Sequence, residues 1–373
     1  MLTVGSVVTA LAQHYPPETA QDWDAVGLVC GDPNAPARAA LLSVDVTAAV
    51  VAEARELGAE LIIAHHPLLL RAVNTVAATH PKGRLIQELL TSGIALYCAH
   101  TNADIGPDST VVALAEAIGL TDSIPLDQQA PHQRDKLITF VPETHIAQLV
   151  DALATAGAGA IGHYDRCYFA TTGTGSFRPL AGATPYLGEP GRISEVTESR
   201  VEMIMPRAAR AAVITALRNA HPYEEPAFDV IELAPEPSGW GLGRVGQLVA
   251  ATPLRQFAER ITAALPQTAT GVRVAGDPAR MISKVAVTAG AGDSHLDAAR
   301  QAGVDVYVTS DLRHHPASEA LEWAEAPALI DISHWAAESL WLERAAAVIT
   351  KSHPDLVIKS STVSTDPWTF RID

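Results

Sequence analysis

The chain has 373 residues, of which 48% are hydrophobic and 18% are charged, and its formal net charge at pH 7 is −16. This length allows two or three domains with a sizeable core. The acidic balance argues against a nucleic-acid or anionic-membrane partner, because binding to phosphates requires a basic surface. The three cysteines are widely spaced and form neither a CxxC pair nor a disulfide framework. This usage fits a reducing compartment, and we predict a cytoplasmic protein.

The N-terminal residues and the hydropathy of the chain predict neither secretion nor membrane insertion. The segment MLTVGSVVTALAQHYPP has no basic leader region and becomes polar by Gln13. The chain also has no apolar run of about 18 residues, the length that a transmembrane helix needs. We therefore expect no membrane partner.

The first third of the chain predicts helices that alternate with buried strands. In chain order we predict a helix over 3–14, a strand over 41–46, a helix over 48–57 capped by Thr47, a strand over 61–64, a helix over 82–91, a strand over 94–99 and a helix over 110–118. The strand over 61–64 is short and β-branched and follows Gly58, which is typical of a buried strand in a parallel sheet.

Two adjacent histidines follow this buried strand, in the segment ELIIAHHPLLL. Pro67 cannot donate a ladder hydrogen bond and biases His66 toward extended geometry, so the strand should stop there. His65 and His66 are then at the carboxyl end of a strand, where open α/β sheets bind ligands. Two imidazoles at one strand end suit Zn, Mn, Fe or Ni. The alternative is that both are ordinary histidines at the edge of a loop.

The last third of the chain repeats the same order of elements. We predict a strand over 284–289, a helix over 294–302 that ends at Gly303, a strand over 304–309, a second His-His-Pro at 314–316, a helix over 317–324 and a strand over 328–332. This strand leads into His334 and Glu338, as the strand over 94–99 leads into His100 and Asp104. The pattern predicts two similar βα halves that form one α/β core.

The central part of the chain has a different pattern. Its predicted strands and helices follow the order βαββαβ over 137–141, 144–156, 164–171, 200–205, 207–219 and 227–233. This is the ferredoxin-like α+β order. The Gly- and Pro-rich segment 171–192 should be a surface or interface loop, and PEPSG at 235–239 should be the exit linker. We therefore predict a discontinuous core, 1–133 and 236–373, and an inserted domain, 134–235.

Both halves place possible metal ligands at strand ends, where one crevice can collect them. The eight candidates are His65, His66, His100, Asp104, His314, His315, His334 and Glu338. A carboxylate can bridge two cations, so histidines with carboxylates favour a two-metal site over a structural zinc site, which usually recruits cysteine. Two metals about 3.5–4 Å apart activate a bridging water for hydrolysis. Taken singly, the His100–Asp104 segment is equally consistent with a loop, and the His334–Glu338 pair with a surface helix.

These motifs also resemble a known family. The segments AHHPLLL, AHTNAD, GAGDS, VTSDLRHHPASEA and ALIDISHWAAE are similar to those of the Nif-three-like dinuclear metal-centre proteins, often described as GTP cyclohydrolase 1 type 2 homologues. WDAVGL and GLGRVGQL extend the resemblance to nearly the whole chain. One departure is Ala25, where the family often has Asn, and we expect it to have little effect on metal binding.

The resemblance implies a specific set of metal ligands. In the family, both histidines of the first His-His-Pro, the Asp of the TNAD-like loop and the His and Glu of the C-terminal motif hold two divalent metals. These positions correspond to His65, His66, Asp104, His334 and Glu338 in this chain, with Glu338 as the bridging ligand. Zn, Fe, Mn, Ni and Co all suit such donors. The remaining three candidates, His100, His314 and His315, become supporting or substrate-facing groups. Asp45 and Asp311 also lie at predicted strand ends near this crevice, where they either support the ligands or serve as turn or cap residues.

The resemblance also implies an assembly and a role for the insert. GTGSFRPLAGATPYLG and HPYEEPAFDV are similar to the insert of longer family members, which resembles PII-like and CutA-like trimeric domains. The family core forms a toroidal homohexamer with metal sites that face an internal cavity, and the insert would limit access to them. His221, Glu224 and Glu225 can be read as another metal set, but the prolines at 222 and 226 favour a conformational or interface role.

We therefore expect a metal-dependent hydrolase that acts on a small polar, nucleotide-like substrate, and the family resemblance suggests ring opening of GTP. No P-loop is present, because GTGSF and GAGDS lack its Lys, so a triphosphate would need the metals or arginines such as Arg71, Arg84 and Arg313. The alternatives are a non-catalytic metal-binding assembly or regulatory protein, and a dinuclear peptidase or phosphoesterase. The residues identify neither the general acid nor the native metal.

Overall fold

The computed structural model describes residues 2–128, 133–234 and 239–372 of the chain. Internal contacts divide the chain into a larger unit, formed by residues 1–129 and 238–373, and a smaller unit, formed by residues 130–237. Of the predicted linker 235–239, only Gly239 lies within the described residues. Among the helices of the described part, none is long and apolar enough to cross a membrane.

The first part of the larger unit alternates helices and strands, as the sequence predicts. The elements are α1 (Val4–His14), a 3₁₀ turn (Pro17–Thr19), β1 (Gly27–Cys30), β2 (Ala39–Ser43), α2 (Ala48–Glu56), β3 (Leu61–Ala64), α3 (Pro81–Thr91), β4 (Ala95–Cys98), a 3₁₀ turn (Thr101–Ala103), α4 (Thr110–Ala117) and β5 (Leu120–Gln128). The Thr47 hydroxyl accepts a hydrogen bond from the Val50 amide and caps α2. Gly58 then takes φ +64°, which lets the chain turn from the end of α2 into β3.

The smaller unit has the element order βαββαβ. Its elements are β6 (Arg134–Val141), a 3₁₀ turn (Glu143–His145), α5 (Ile146–Thr155), β7 (Phe169–Phe177), β8 (Ser194–Pro206), a 3₁₀ turn (Arg207–Ala209), α6 (Arg210–Ala220) and β9 (Phe228–Glu232). The strands form one antiparallel sheet in the order β7-β8-β6-β9. Apolar side chains of both helices and of the central strands form the core of this unit. This is the predicted ferredoxin-like element order.

The larger unit continues with the second βα half. Its elements are β10 (Gly241–Pro253), α7 (Leu254–Ala264), β11 (Arg273–Ala275), β12 (Met281–Ala291), a 3₁₀ turn (Asp293–His295), α8 (Leu296–Gln301), β13 (Val306–Ser310), α9 (His314–Leu321), β14 (Ala328–Ile332), α10 (His334–Ser339), α11 (Trp341–Ser352) and β15 (Val357–Ser360). The sequence analysis did not predict β1, β5, β10, α7, β11, α11 or β15.

The described residues of the larger unit form two sheets, each with a parallel centre. The first sheet has the order β1-β4-β3-β2-β15, and the second has the order β11-β14-β13-β12-β10-β5. In each sheet the three central parallel strands are consecutive in the chain and run in the same spatial order, β4-β3-β2 and β14-β13-β12. The α/β class is therefore confirmed. The carboxyl ends of parallel strands meet at one edge of a sheet, which is where ligand sites form.

The two halves exchange helices across their sheets. Helix α11 of the second half packs against the first sheet, with Trp341 among Leu61, Ile63 and Tyr97. Helix α4 of the first half packs in the core of the second sheet, where Leu114 and Val285 belong to the same hydrophobic cluster. Because α10 leads directly into α11, this exchange holds α10 beside the end of β3.

Several expectations about element bounds were wrong. The predicted strands over 41–46 and 164–171 are β2 at Ala39–Ser43 and β7 at Phe169–Phe177. Helix α9 begins at His314 rather than at residue 317, because Pro316 lies in the first turn, where the missing amide hydrogen is tolerated. The expected loop 171–192 is partly strand, since residues 171–177 continue β7 and pair with β8. Its threonines favour an extended strand even between glycines.

Trp341→Ala is expected to lower the free energy of unfolding of the larger unit by about 3–5 kcal/mol, because it opens a cavity between α11 and the first sheet. The Trp341 side chain is 0% exposed, whereas Trp323 is 56% exposed. Trp323→Ala, the matched control, should cost about 1 kcal/mol or less. Urea unfolding followed by circular dichroism measures both, and equal losses would contradict this packing role.

Candidate metal centre

The first two candidate ligands lie where strand β3 ends. Strand β3 stops at Ala64, as the sequence predicts, and His65 and His66 follow at its carboxyl end. Their backbone amides donate to the carbonyls of Ser43 and Val44, so the chain stays in register with the neighbouring strand as it leaves the sheet. This pairing fixes the backbone positions from which both imidazoles extend toward the site.

The other pair of candidate ligands lies on one face of α10. The Ser333 hydroxyl caps this helix by accepting a hydrogen bond from the Ala336 amide. The four-residue spacing puts His334 and Glu338 side by side, with His334 Nε2 2.9 Å from Glu338 Oε1. Gly290, at φ +74°, lies against this pair, and a Cβ there would be 2.6 Å from Glu338 Oε1. Only glycine therefore fits at residue 290.

The Glu338 carboxylate is the centre of the site and is buried, with the residue 3% exposed. Its Oε1 atom lies 3.5 Å from His65 Nε2 and 2.9 Å from His334 Nε2. Its Oε2 atom lies 3.0 Å from His66 Nε2. Both carboxylate oxygens therefore face imidazole nitrogens, and this arrangement suits a carboxylate that bridges two cations.

The opposite nitrogen of each imidazole is held by an acceptor outside the cluster. His65 Nδ1 lies 2.9 Å from the Ala99 carbonyl oxygen, His66 Nδ1 lies 2.8 Å from Asp45 Oδ1, and His334 Nδ1 lies 2.6 Å from Asp311 Oδ2. These acceptors require a proton on Nδ1. Each Nε2 is thereby directed at Glu338, and the arrangement is the one that metal-binding histidines commonly show.

Asp104 lies at the edge of the same cluster. The distance between His65 Nε2 and Asp104 Oδ1 is 3.7 Å. Asp104 ends the 3₁₀ turn after β4, and the Thr110 hydroxyl at the start of α4 donates to its Oδ1 atom. The first strand end, the turn after β4 and α10 therefore bring all five residues of the implied ligand set together.

His100 also belongs to the cluster, and a buried aspartate orients it. Its ring lies 5.3 Å from that of His65 and 5.5 Å from that of His66, measured between centroids. His100 Nδ1 lies 2.8 Å from Asp24 Oδ1, and the Asp24 carboxylate also accepts hydrogen bonds from the Thr101 amide and hydroxyl. Within the described residues, His65, His66 and His100 form one possible metal-binding group, and His66, His334 and Glu338 form another.

When each imidazole carries a single proton on Nδ1, two buried polar atoms at the centre have no hydrogen-bond partner among the described residues. They are His65 Nε2 and Glu338 Oε2. A buried polar atom without a partner is costly, and a cation coordinated by both residues would remove that cost. The set of imidazole nitrogens and carboxylate oxygens suits Zn, Fe, Mn, Ni or Co. The residues present therefore fit a divalent metal.

The charges of the cluster shift the pKa values of its members. Burial lowers the pKa of His66 and of His334, but the Glu338 carboxylate and the paired aspartates outweigh burial and raise these values to about 10 and about 11. Burial raises the pKa of Glu338, and the three facing imidazoles outweigh it and hold this pKa well below its usual value. Burial raises the pKa of Asp104. Without a metal, protons on the His66 and His334 imidazoles therefore compensate the negative charge of Glu338.

The second His-His-Pro does not join this cluster. His314 and His315 lie in the first turn of α9, exposed to solvent, with their ring centroids 5.3 Å apart. Three residues separate the end of β13 from His314, and the first of them, Asp311, takes the left-handed φ of +55°. It is Asp311 that reaches the cluster, through His334. The loop after β13 is therefore longer than the one after β3. At the end of β13 an aspartate occupies the place that the histidines have at the end of β3.

The alternative metal set in the smaller unit is not assembled as one. His221 Nδ1 accepts a hydrogen bond from the Tyr223 amide, and its Nε2 donates to the Phe140 carbonyl. Glu224 accepts from the Thr184 amide. Both ring nitrogens of His221 are thus engaged within the protein, which fits the conformational role that the prolines favour.

Three supporting residues were not predicted from the sequence. They are Asp24, Thr110 and Thr365, which contact His100, Asp104 and Asp45. Thr365 comes from the segment after β15 and donates from its hydroxyl to Asp45 Oδ2. For Asp24 the WDAVGL segment offered a signal, because its acidic residue lies between a tryptophan and a predicted turn. Thr110 and Thr365 had no such signal.

Comparison with known proteins shows similarity over almost the entire chain. The family model described as Duf34/NIF3 (NGG1p interacting factor 3) matches residues 2–367. A Mycobacterium tuberculosis protein named GTP cyclohydrolase 1 type 2 homolog is 48% identical over 368 residues, which cover 98% of this chain and 96% of that protein. A Bacillus subtilis protein of the same name is 37% identical over 98% of this chain and 97% of its own length.

Solved structures show the same similarity. A Bacillus cereus protein described as related to NIF3 aligns with a TM-score of 0.73 and 34% identity, over 99% of each chain. A Staphylococcus aureus protein aligns with a TM-score of 0.80 and 28% identity, also over 99% of each chain. The mixed α/β fold of this chain is therefore one that experimentally determined relatives share.

The metal-free protein should lose stability as the pH rises from about 6.5 to about 10. The folded state raises the pKa values of His66 and His334, so it binds more protons than the unfolded state in this range. Their stabilising contribution is full below the unfolded value of 6.5 and is lost as the pH passes the folded values. Urea unfolding of protein dialysed against chelator measures this slope.

The variant Glu338→Gln isolates the contribution of the cluster from that of other titrating groups. Without the carboxylate, the imidazoles lose their main counter-charge, and the decline between these two pH values should become shallower. An identical decline in the original protein and the variant would show that the cluster is not its source.

Proposed function

This chain belongs to the Duf34/NIF3 family, and we propose that it is a metal-dependent hydrolase with a dinuclear centre. We assign the metal ligands to His65, His66, Asp104, His334 and Glu338. The single observation that supports this assignment is the buried Glu338 carboxylate, whose two oxygens face the Nε2 atoms of three histidines.

The chemistry at such a centre would come from metals and protein together. Two divalent cations, when bound, would lower the pKa of a water molecule and polarise an electrophile. The protein supplies the orientation: Asp45 and Asp311 hold the Nδ1 protons of His66 and His334, so both side chains present Nε2 to the centre. His65 is fully buried against the Trp341 ring, 5.4 Å between centroids, which excludes solvent from that side.

We assign proton transfer to His100. Its Nδ1 atom is held by Asp24, so Nε2 is the nitrogen left for a reacting group. Burial raises the pKa of Asp24, but hydrogen bonds from His100 and Thr101 outweigh it and hold that pKa far below its usual value. Asp24 therefore stays a carboxylate and stabilises His100 when the imidazole carries a second proton.

The proposed substrate is a purine nucleotide of the GTP type. An open cavity of about 570 Å³, a volume that suits a ligand of this size, is lined by Asp311, Arg313, Asp293 and Ser294. One residue of this lining, Asp311, also accepts the hydrogen bond from His334 Nδ1. Arg313 pairs with Asp293 at its wall, whereas Arg71 and Arg84 are exposed. The relatives named GTP cyclohydrolase 1 type 2 homolog support the same choice.

The proposed reaction opens the imidazole ring of the purine by hydrolysis. One water adds to C8, the C8–N9 bond breaks, and N9 takes a proton. The product contains every atom of the nucleotide and of the water, and its former C8 is a formyl group on N7. His100 would accept the proton of the attacking water and return it to N9.

We also propose that the chain assembles as a homohexamer and that the smaller unit is an inserted PII- or CutA-like domain. The segment after β15 carries Trp368, Phe370 and Ile372, which are all exposed in the single chain. Exposed large apolar side chains at alternate positions suit an interface between copies. Light scattering gives the mass, and a particle with other than six chains would contradict the assembly.

Protein purified without added metal should contain about two divalent ions per chain. Glu338→Gln should lose them and weaken affinity by about 100-fold or more, because it removes the proposed bridging charge. Elemental mass spectrometry and chelator competition measure both quantities. Glu343→Gln, an exposed position on α11, and His314→Ala serve as controls and should keep the metal. Full metal content in Glu338→Gln would overturn the assigned centre.

Metal-loaded protein incubated with GTP should give a product heavier by one water, detected by mass spectrometry. His100→Gln should slow this turnover by about 10²–10⁴-fold while keeping the metals, because it removes a proton acceptor rather than a ligand. Phosphate or peptide-bond release in place of ring opening would identify a phosphoesterase or a peptidase. Full metal content without turnover on these substrates would leave a non-catalytic metal-binding protein.

A further inference from the structure

A second cavity lies entirely within the smaller unit, apart from the proposed metal centre. It has a volume of about 640 Å³ and lies between β7, β8, the segment 178–193 and the turn 221–227. The exposed surface of its lining is mainly apolar, although threonine, serine, arginine and glutamate residues also contribute to it. This volume and this composition are typical of small-molecule sites. Neither the proposed hydrolase chemistry nor the core of this unit accounts for it.

Aromatic side chains form one wall of this cavity. Phe177 and Tyr223 lie 6.1 Å apart between ring centroids, and Tyr186 and Tyr223 lie 6.2 Å apart. Two hydrogen bonds fix the position of Tyr223: its amide donates to His221 Nδ1, while His221 Nε2 donates to the Phe140 carbonyl. The HPYEEP motif therefore serves to place an aromatic ring on the cavity wall.

A buried carboxylate lies among these rings. Glu198 is 9% exposed and lines the cavity, and it forms no salt bridge with any Lys, Arg or His of the described residues. Its side chain lies across Gly175 of the neighbouring strand, where a Cβ would be only 2.0 Å from Glu198 Oε2. Glycine at 175 thus makes room for the carboxylate. A buried carboxylate without a cation is unfavourable unless a ligand supplies one.

The two arginines of the lining do not pair with Glu198. Arg178 is exposed and forms no salt bridge with Glu198 among the described residues. Arg200 is close in sequence to Glu198, but its Nε atom donates to Glu202, 2.9 Å away. The buried Tyr223 hydroxyl lies beside Glu198 and offers it a neutral donor rather than a cation. Glu224 and Glu225 add further negative charge to the lining. The cavity therefore offers aromatic faces and an uncompensated negative charge to the same ligand.

We propose that this cavity binds a small organic cation with an apolar body, such as an arylalkyl ammonium. The ammonium group would donate to Glu198 and lie against the faces of Tyr186 and Tyr223, the combination that recognises ammonium ligands in aromatic cages. The apolar body would fill the space beside Phe177. This site is distinct from the proposed hydrolase centre and does not depend on it.

Calorimetric titration of the full chain with two matched probes tests this site. The probes are 4-phenylbutylamine, which is protonated at neutral pH, and 4-phenylbutan-1-ol, which has the same shape without the charge. The amine should bind with a Kd of about 1 mM or tighter, and the alcohol about tenfold more weakly. Glu198→Gln should weaken binding of the amine about tenfold and leave binding of the alcohol unchanged, which also shows that the cavity remains folded.

Glu195→Gln is the matched control, because Glu195 is exposed on the same strand and does not line the cavity. It should bind the amine as the original protein does. Tyr186→Leu should weaken binding of the amine, and Glu338→Gln should not change it. Equal affinity for amine and alcohol, unchanged amine binding in Glu198→Gln, or no amine binding at about 10 mM would each overturn the proposal.

Discussion

The buried carboxylate of Glu338 is the group on which the larger unit depends for its proposed chemistry. A negative charge at this depth is tolerated only if positive charge compensates it. Three imidazoles face it, and each is oriented through its other nitrogen by an acceptor on a different segment. Side chains from one strand end and one helix thus converge on a single charge. Protons and a divalent cation bound at this cluster would compete for the same nitrogens.

The arrangement of the fold explains how these groups meet. Each half brings a strand end to the site, but the decisive feature is the exchange of helices, which places α10 of the second half beside β3 of the first. The two halves use their equivalent loops differently. After β3 the histidines follow at once, whereas after β13 an aspartate in a left-handed turn reaches inward. A repeated scaffold can therefore carry an asymmetric site.

Much of this could be predicted from the sequence, because the signals are local. The strand before His65, the cap at Thr47 and the four-residue spacing of His334 and Glu338 depend on neighbouring residues alone. The start of α9 was predicted too late, at residue 317. The helix begins at His314 and includes Pro316 in its first turn. The contact of Thr365 with Asp45 and the packing of Trp341 on His65 were beyond reach. They join segments whose proximity only the folded chain creates.

The helix exchange has a consequence for how the chain folds. His65 is in the first quarter of the sequence and Glu338 is in the last, so a cation shared by both would close a loop of 273 residues (338 − 65) in a chain of 373. Like a disulfide across a long loop, such a link restricts the unfolded ensemble, and that restriction grows with the logarithm of loop length. The centre would therefore act as a reversible cross-link between the two ends of the polypeptide. Chelation would then remove a tether as well as a cofactor.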